Sequence, residues 1–420
     1  MAVNETNWAG NHAFAAAQIA YPATVAEVQE LVMRNRKVKA VGARHSFNDI
    51  ADSEETLISL AHFPETLAFD TQAHTVTVPA GMTYGRLCAL LQEMDYAIHN
   101  MASLPHISVG GAVATATHGS GDANGNLATA VAGLALVTAD GACVQLARGQ
   151  QEPAFAGAVV GLGALGVVTH LTLDIRPTYN VQQAVYERLP LTQLFDHFDA
   201  IMGAAYSVSL FTDWQADWVN QLWLKRLVPE EGEIHSFAPE FHGAILAQTA
   251  MHPSGRSSPE SCTSQLGEAG PWHERLPHFR VDHAPSMGNE LQSEYFVARR
   301  HAVAALRTLA DLRAELASVV LVSEVRTVAA DDLWLSPAYE QDCVGFHFTL
   351  RNDWEAVRPV LPVIEAALAP FAPRPHWGKL FTMASEQVQA RYPRLADFRA
   401  LVAQLDPGGK FHNAYLAQIL

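Results

Sequence analysis

The sequence predicts an α+β protein built as two domains, and three observations lead there. A chain of 420 residues is long for one hydrophobic core, so two domains are the natural division. Helical and strand-like apolar spacings alternate through the first 176 residues. After Pro177 the texture changes, to more tryptophan and a Pro/Ser/Gly/His-rich stretch. We therefore expect one domain over residues 1–176, a second over 177–375 and a return to the first over 376–420.

Residues 22–36, PATVAEVQELVMRNR, carry apolar residues at helical spacing behind the start signals Pro22 and Thr24. The apolar run VKAVG (38–42) reads as a strand ending at Gly42. TLISLAHF, TLAFD and HTVTVPAG add three strands, the last closed by a Pro-Ala-Gly turn. In TYGRLCALLQEMDY, Leu87, Leu90, Leu91 and Met94 form one stripe of an amphipathic helix. SLPHISVGGAVATATHGSGDANGN (103–126) is dense in small residues, which let backbone approach a ligand closely and offer N–H groups to it. VAGLALVTADGACVQLAR follows as a hairpin turning at Asp140-Gly141, and PAFAGAVVGLGALGVVTHLTLDIRP ends in an alternating strand. Farther on, residues 229–290 suit surface loops, RRHAVAALRTLADLRAELA is a helix, and residues 384–405 are helical again.

Composition limits the function. Hydrophobic residues make up 49% and charged residues 17%, as in a well-packed globular protein. The 43 acidic residues outnumber 27 Lys and Arg, for a net charge of -16, which disfavours nucleic acid and anionic membranes as partners. No segment approaches the roughly 18 apolar residues of a membrane helix. The start, MAVNETNWAGNHAF, lacks the basic and apolar regions of a secretory signal. Cys88, Cys143, Cys262 and Cys343 are scattered, as free thiols in a reducing compartment would be. The expectation is a cytoplasmic monomer acting on a small molecule.

Gly161-Leu-Gly163-Ala-Leu-Gly166 fits the dinucleotide fingerprint G-x-G-x-x-G, which needs a strand before it and a helix after it. Here AFAGAVV before it looks helical and VVTHLTLDI after it alternates as a strand. The glycines therefore read as a tight helix-to-strand turn, not as a nicotinamide site.

VGARHSFND (41–49) places an imidazole at the mouth of an apolar strand. On chemistry alone His45 is a metal ligand, a proton carrier, an attachment point or ordinary turn polarity. A zinc site needs partners at ligand spacing, and none stands within seven residues. His273, His278 and His283 recur every five residues, matching neither a helix face nor strand alternation, so no metal is expected there either. In SVVLVSEVRTVAAD (318–331), Glu324 and Arg326 share one strand face. In GFHFTL (345–350), His347 and Thr349 do the same, with Phe346, Phe348 and Leu350 behind. Charged and polar fronts on apolar backs suggest a sheet lining a polar pocket. The competing reading is a structural ion pair on a solvated sheet face, though such exposed pairs contribute only about 0–1 kcal/mol. Arg374-Pro-His-Trp-Gly-Lys-Leu-Phe joins an aromatic, a turn glycine and a lysine where two domains would meet; a plain exposed loop is the alternative.

NWAGN (7–11), VGARHSFN, NMASLPHISVGGAVATATHGSG, LGALGVVT, EVRTVAAD and HWGK, in this order, resemble the vanillyl-alcohol-oxidase flavoprotein superfamily, and within it the bacterial alditol (xylitol) oxidases. The resemblance runs from residue 7 to the closing KFHNAYL. It implies a flavin domain of two α/β subdomains (the PCMH type) and a cap domain on a mixed or antiparallel sheet. It further implies FAD bonded to the ring of His45 through the isoalloxazine 8α-methyl carbon, a link that strengthens the flavin as oxidant and prevents its loss. Around the attachment the resemblance points to Gly42, Ala43, Arg44, Ser46 and His376 as cofactor contacts. Arg44 stands where these oxidases have a small residue. Ser108, Gly111, Thr115 and Thr117 would hold the pyrophosphate and ring edge, Val168 would be a further cofactor contact, and Ser103 would face flavin and substrate together.

The implied reaction is oxidation of the C1 hydroxyl of a polyol such as xylitol or sorbitol to the aldose, with hydride passing to flavin N5 and O2 reduced to H2O2. Arg326 and Lys379 are the expected catalytic pair, Lys379 serving as base or as fixed cation. Ser103, Glu324, His347 and Thr349 would bind the remaining hydroxyls alongside them, and Ala102 is small enough to leave oxygen a path. The nearest alternative is a sugar-1,4-lactone (aldonolactone) oxidase. Nineteen histidines motivate a metal-dependent hydrolase and eight tryptophans a carbohydrate-binding module as readings from other classes.

Overall fold

A computed structural model describes residues 5–229, 236–283 and 289–420. Strands Gln18–Ala20, Thr56–Ser59 and Val38–Val41 lie side by side in that order, all parallel. Parallel neighbours need a crossover, and helix Val25–Arg34 supplies one, capped where Thr24 accepts the Glu27 N–H. A second sheet is antiparallel throughout, in the order Ala68–Asp70, Thr75–Pro79, Val167–Asp174, Val131–Val137 and Cys143–Ala147. The hairpin in it turns at Gly141, whose φ of 81° suits glycine. Helix Ala154–Val159 precedes the Gly161–Gly166 turn and strand Val167–Asp174 follows it, the reverse of a dinucleotide-binding motif. One core cluster joins Val28, Leu31, Leu87, Leu91 and Leu134 to Phe398 and Leu416, so the C-terminal helices Leu395–Leu405 and Ala414–Ile419 pack with the N-terminal sheets.

The remaining large sheet has ten strands. Its order is Glu240–Phe241, Ala244–Leu246, Asn180–Pro190, Trp218–Leu227, Ser207–Thr212, Val320–Val328, Cys343–Arg351, Glu290–Ala298 and Arg374–Pro375, with Ala269–Pro271 also paired to Asn180–Pro190. Every pairing is antiparallel. Side chains alternate across it, so Leu210, Leu222, Val325, Phe346 and Tyr295 go to the back, where helices Leu191–Met202, Ala302–Asp311 and Leu361–Leu368 cover them. The front face carries Glu294, Glu324, Arg326 and His347 beside an apolar patch of Val185, Phe211 and Trp223, and it lines a cavity together with residues of the first two sheets.

Three expectations change. The helix read over 299–317 breaks at Leu312 into Ala302–Asp311 and Arg313–Leu316. The one over 384–405 is split into Ser385–Gln389 and Leu395–Leu405 around Pro393, which cannot continue an intrahelical hydrogen-bond ladder. Residues 229–290 are only partly surface loop: Trp272 and Leu276 are buried in the first core, because apolar side chains there dock the segment inward. Residues 230–235 and 284–288 of that stretch lie outside the described residues. No helix among the described residues is long and apolar enough to cross a membrane.

Candidate active site

A cavity of about 690 Å³ runs between the polar face of the ten-stranded sheet and the two smaller sheets, within the size range of cofactor and ligand pockets. It brings together every candidate residue read from the sequence: Gly42 to Ser46, Ser103, Ser108, Gly111, Thr115, Thr117, Val168, Glu324, Arg326, His347, Thr349, His376 and Lys379 all line it.

One end is built of small residues. A Cβ on Gly42 would stand 2.1 Å from Ser108 Oγ, so any side chain at this position would displace the Ser108 hydroxyl. Ala43 N–H donates to that same hydroxyl at 3.3 Å. Thr115 donates to Gly111 O at 3.1 Å and sits 3.1 Å from Thr117 Oγ1, holding the bend after Val109–Ala114. Arg44 turns the chain with a φ of 62° and pairs its guanidinium with Glu5. The next residue, His45, is therefore presented into the cavity. Trp8 stacks on its ring at 5.1 Å, while Asn7 and Asn11 donate to Ser46 O and Phe47 O at 2.8 and 2.7 Å. Burial, then His106, lowers the His45 pKa to about 4, leaving a neutral imidazole with a free lone pair. Glycine backbone, hydroxyls and a neutral nucleophilic nitrogen form a donor set that fits a flat, phosphate-bearing cofactor.

The other end is set by sheet register. Glu324 lies between Phe211 and His347, and His347 between Glu324 and Glu294. Arg326 lies opposite Gly345, where a Cβ would come within 3.1 Å of Glu294 Oε1. The missing side chain lets Glu294 and Arg326 meet across the intervening strand. Glu294 Oε1 accepts from Arg326 Nη2 at 3.0 Å and lies 3.0 Å from His118 Nε2; Oε2 accepts from Lys379 Nζ at 2.6 Å. Arg326 also reaches Ser103 Oγ at 3.4 Å and His118 O at 3.3 Å. His347 Nε2 is 3.1 Å from Gln292 Oε1.

The charges are mutually dependent. Burial alone would raise Glu294, but Lys379, His118 and Arg326 together hold it well below the usual carboxylate range. Burial lowers Lys379 from the normal lysine value, Glu294 opposing and Arg326 reinforcing the shift. His347 is pushed down to about 3 and His376 well below normal, first by burial and then by Lys379, so both imidazoles are neutral hydrogen-bonding groups near pH 7. The HWGK segment is not an exposed loop. Trp377 is fully buried and donates to Leu335 O at 2.7 Å; Asn48 holds the carbonyls of Trp377 and Lys379, both at 2.9 Å. Glu324 and Arg326 do pair, 3.6 Å from Oε2 to Nε, but they are buried on a cavity wall and not on a solvated face.

Sequence reasoning misses Glu294, Gln292 and His118, and it weighs His278 only as a metal ligand. Glu290, Gln292 and Glu294 follow each other at strand spacing in NELQSEYFVA, a legible signal blurred by Ser293 on the opposite face. His118 was hidden in a run noted only for its small residues. His278 pairs with Glu324, 2.7 Å from Nε2 to Oε1. Among the described residues no group of three or more His, Cys, Asp or Glu side chains could hold a metal.

An FAD binding domain family model matches residues 16–147, and a D-arabinono-1,4-lactone oxidase model matches residues 288–419. The chain is 48% identical to an alditol oxidase of Streptomyces sp. (strain IKD472 / FERM P-14339), over 100% of both chains. It is 27% identical to an L-gulono-1,4-lactone dehydrogenase of Mycobacterium tuberculosis, over 99% of this chain and 98% of the other. Its fold matches a crystal structure of cholesterol oxidase from B. sterolicum with a TM-score of 0.79 and 14% identity, covering 99% and 96% of the two chains.

Proposed function

Since this chain belongs to the alditol oxidase family of FAD-dependent oxidoreductases, we propose that it oxidises the C1 hydroxyl of a polyol such as xylitol or sorbitol to the aldose, reducing O2 to H2O2. The observation that carries this reading is the buried cluster of Arg326, Lys379 and Glu294 on the wall of the cavity that also holds His45. When bound, FAD accepts the hydride and hands the electrons to oxygen.

The chain's own residues do the rest. An aliphatic hydroxyl must lose its proton as the C–H bond breaks. Lys379, its pKa lowered by burial, takes that proton, and Glu294 pairs with the ammonium that results. Arg326 stays charged and stabilises the oxygen as negative charge develops on it. Ser103, Glu324, His347 and Thr349 bind the other hydroxyls; a substrate lacking one leaves a buried group unsatisfied, at about 1–3 kcal/mol. The front of the ten-stranded sheet forms one wall of the cavity and limits the water that reaches this chemistry. Ala102 leaves a path for oxygen beside Ser103.

The neutral, Trp8-stacked ring of His45 is the attachment point for the flavin. After acid precipitation, yellow fluorescence should stay with the protein on a denaturing gel; its complete release into the supernatant would refute the bond. The match of residues 288–419 to a lactone oxidase model motivates a second reading, a sugar-1,4-lactone oxidase. A peroxide assay decides between them. Xylitol or sorbitol should turn over faster than a galactono- or gulono-1,4-lactone, and the reverse order would favour the second reading.

A further inference from the structure

Lys225 is a fully buried lysine outside the catalytic cluster. Its Nζ lies 2.8, 2.5 and 3.1 Å from the carbonyl oxygens of Arg275, Leu276 and Pro277, and 3.3 Å from His278 Nδ1. A carboxylate only accepts, so the His278 ring proton sits on Nε2, the nitrogen that faces Glu324, and the bare Nδ1 faces Lys225. That N–H points at Glu324 Oε1, 2.7 Å away. Phe211 and Trp223 pack edge-on against the ring, both at 5.2 Å, and leave it little room to turn. The backbone N–H groups of His278 and Phe279 both donate to Ser103 O at 3.2 Å. One short segment thus ties together two cavity-lining residues, Ser103 and Glu324, that come from different sheets' surroundings. Glu324 Oε2 is left toward Arg326, at 3.6 Å from Nε.

We propose that His278, its ring fixed between Lys225 and Glu324 as the Nε2–H tautomer, is a positioning residue that occupies one oxygen of Glu324 and turns the other to a substrate hydroxyl. This deepens the reading of the cavity as a polyol site and rests on it. A carboxylate free to rotate accepts from water, from Arg326 or from any hydroxyl. One held by a fixed donor discriminates by hydroxyl position, which a polyhydroxylated chain requires. Lys225 has no carboxylate within ion-pair distance among the described residues; burial lowers its pKa to about 7, and its nitrogen bonds the three carbonyls and faces the imidazole.

The test uses the purified holoenzyme with His278→Leu, His278→Gln, Glu324→Ala and the double variant His278→Leu/Glu324→Ala. Losing a hydrogen bond to a charged group should raise KM for xylitol about tenfold or more in His278→Leu, with a smaller fall in kcat. Glutamine restores a donor at the Nε2 position and should recover most of the loss. In the Glu324→Ala background, which has no acceptor for the imidazole, adding His278→Leu should change KM by no more than about twofold. Equal impairment in the leucine and glutamine variants, or fully additive losses in the double variant, overturns the proposal. A readout independent of turnover is the ring ¹⁵N spectrum of histidine-labelled enzyme. The signal lost in His278→Gln should be an Nε2–H tautomer in the wild type and should change in Lys225→Met; an Nδ1–H tautomer overturns the proposal. If the wild type ignores polyols but shows the Nε2–H tautomer, the substrate reading fails and the positioning of Glu324 stands.

Discussion

Replacing Lys379 with methionine is expected to lower kcat/KM for a polyol by about 10²–10⁴-fold, the usual contribution of a positioned base, while FAD remains bound. Methionine keeps the apolar stem and removes only the nitrogen, so the effect isolates proton transfer. The pH dependence gives the sign. Burial lowers the Lys379 pKa below the ordinary lysine value of 10.5, and the reactive form is the neutral amine. Wild-type kcat/KM should therefore rise with pH and level off once Lys379 is deprotonated, at a pH below 10.5. In the methionine variant that rise should vanish. Turnover within about twofold of the wild type would remove Lys379 from the chemistry.

Glu294→Ala should destabilise the folded protein by about 3–5 kcal/mol, read as a lower denaturation midpoint, and should abolish polyol turnover. The carboxylate is fully enclosed and is within hydrogen-bond distance of Arg326, His118 and Lys379. Removing it strands cations in an apolar surround, and an unpaired buried charge costs more than the pair itself contributed. Linkage fixes where this is visible. The folded pKa of Glu294 lies well below its ordinary 4.5, so its contribution is fully present above about pH 4.5 and is lost as pH falls through the lower folded value. The stability gap between the wild type and Glu294→Gln should stay level from pH 7 to about 5 and narrow on further acidification. A gap that widens toward acid would show that Glu294 is protonated in the folded protein.

The small-residue end of the cavity was largely legible. Gly42 and Gly111 both leave room for the Ser108 hydroxyl, and a run dense in small residues records that close packing locally. Glu324 with Arg326, and His347 with Thr349, were legible because strand alternation is a property of neighbouring residues. Glu294 was not recognised, because its importance comes from register: it meets Arg326 only across the strand that carries Gly345. The segment 269–279 was misread as surface because its few apolar residues, Trp272 and Leu276, find their partners in a core built almost entirely from residues before 176 and after 376.

By itself the sequence determined the periodic elements, the reversed order around Gly161–Gly166, the acidic charge balance and the polar strand faces, since each depends on residues close together in the chain. Only the tertiary structure decided which carboxylate meets which cation, which histidines are neutral, and that Lys225 reaches Glu324 through His278. Those outcomes depend on burial and on distances of a few ångströms between residues up to hundreds of positions apart, and linear spacing carries neither quantity.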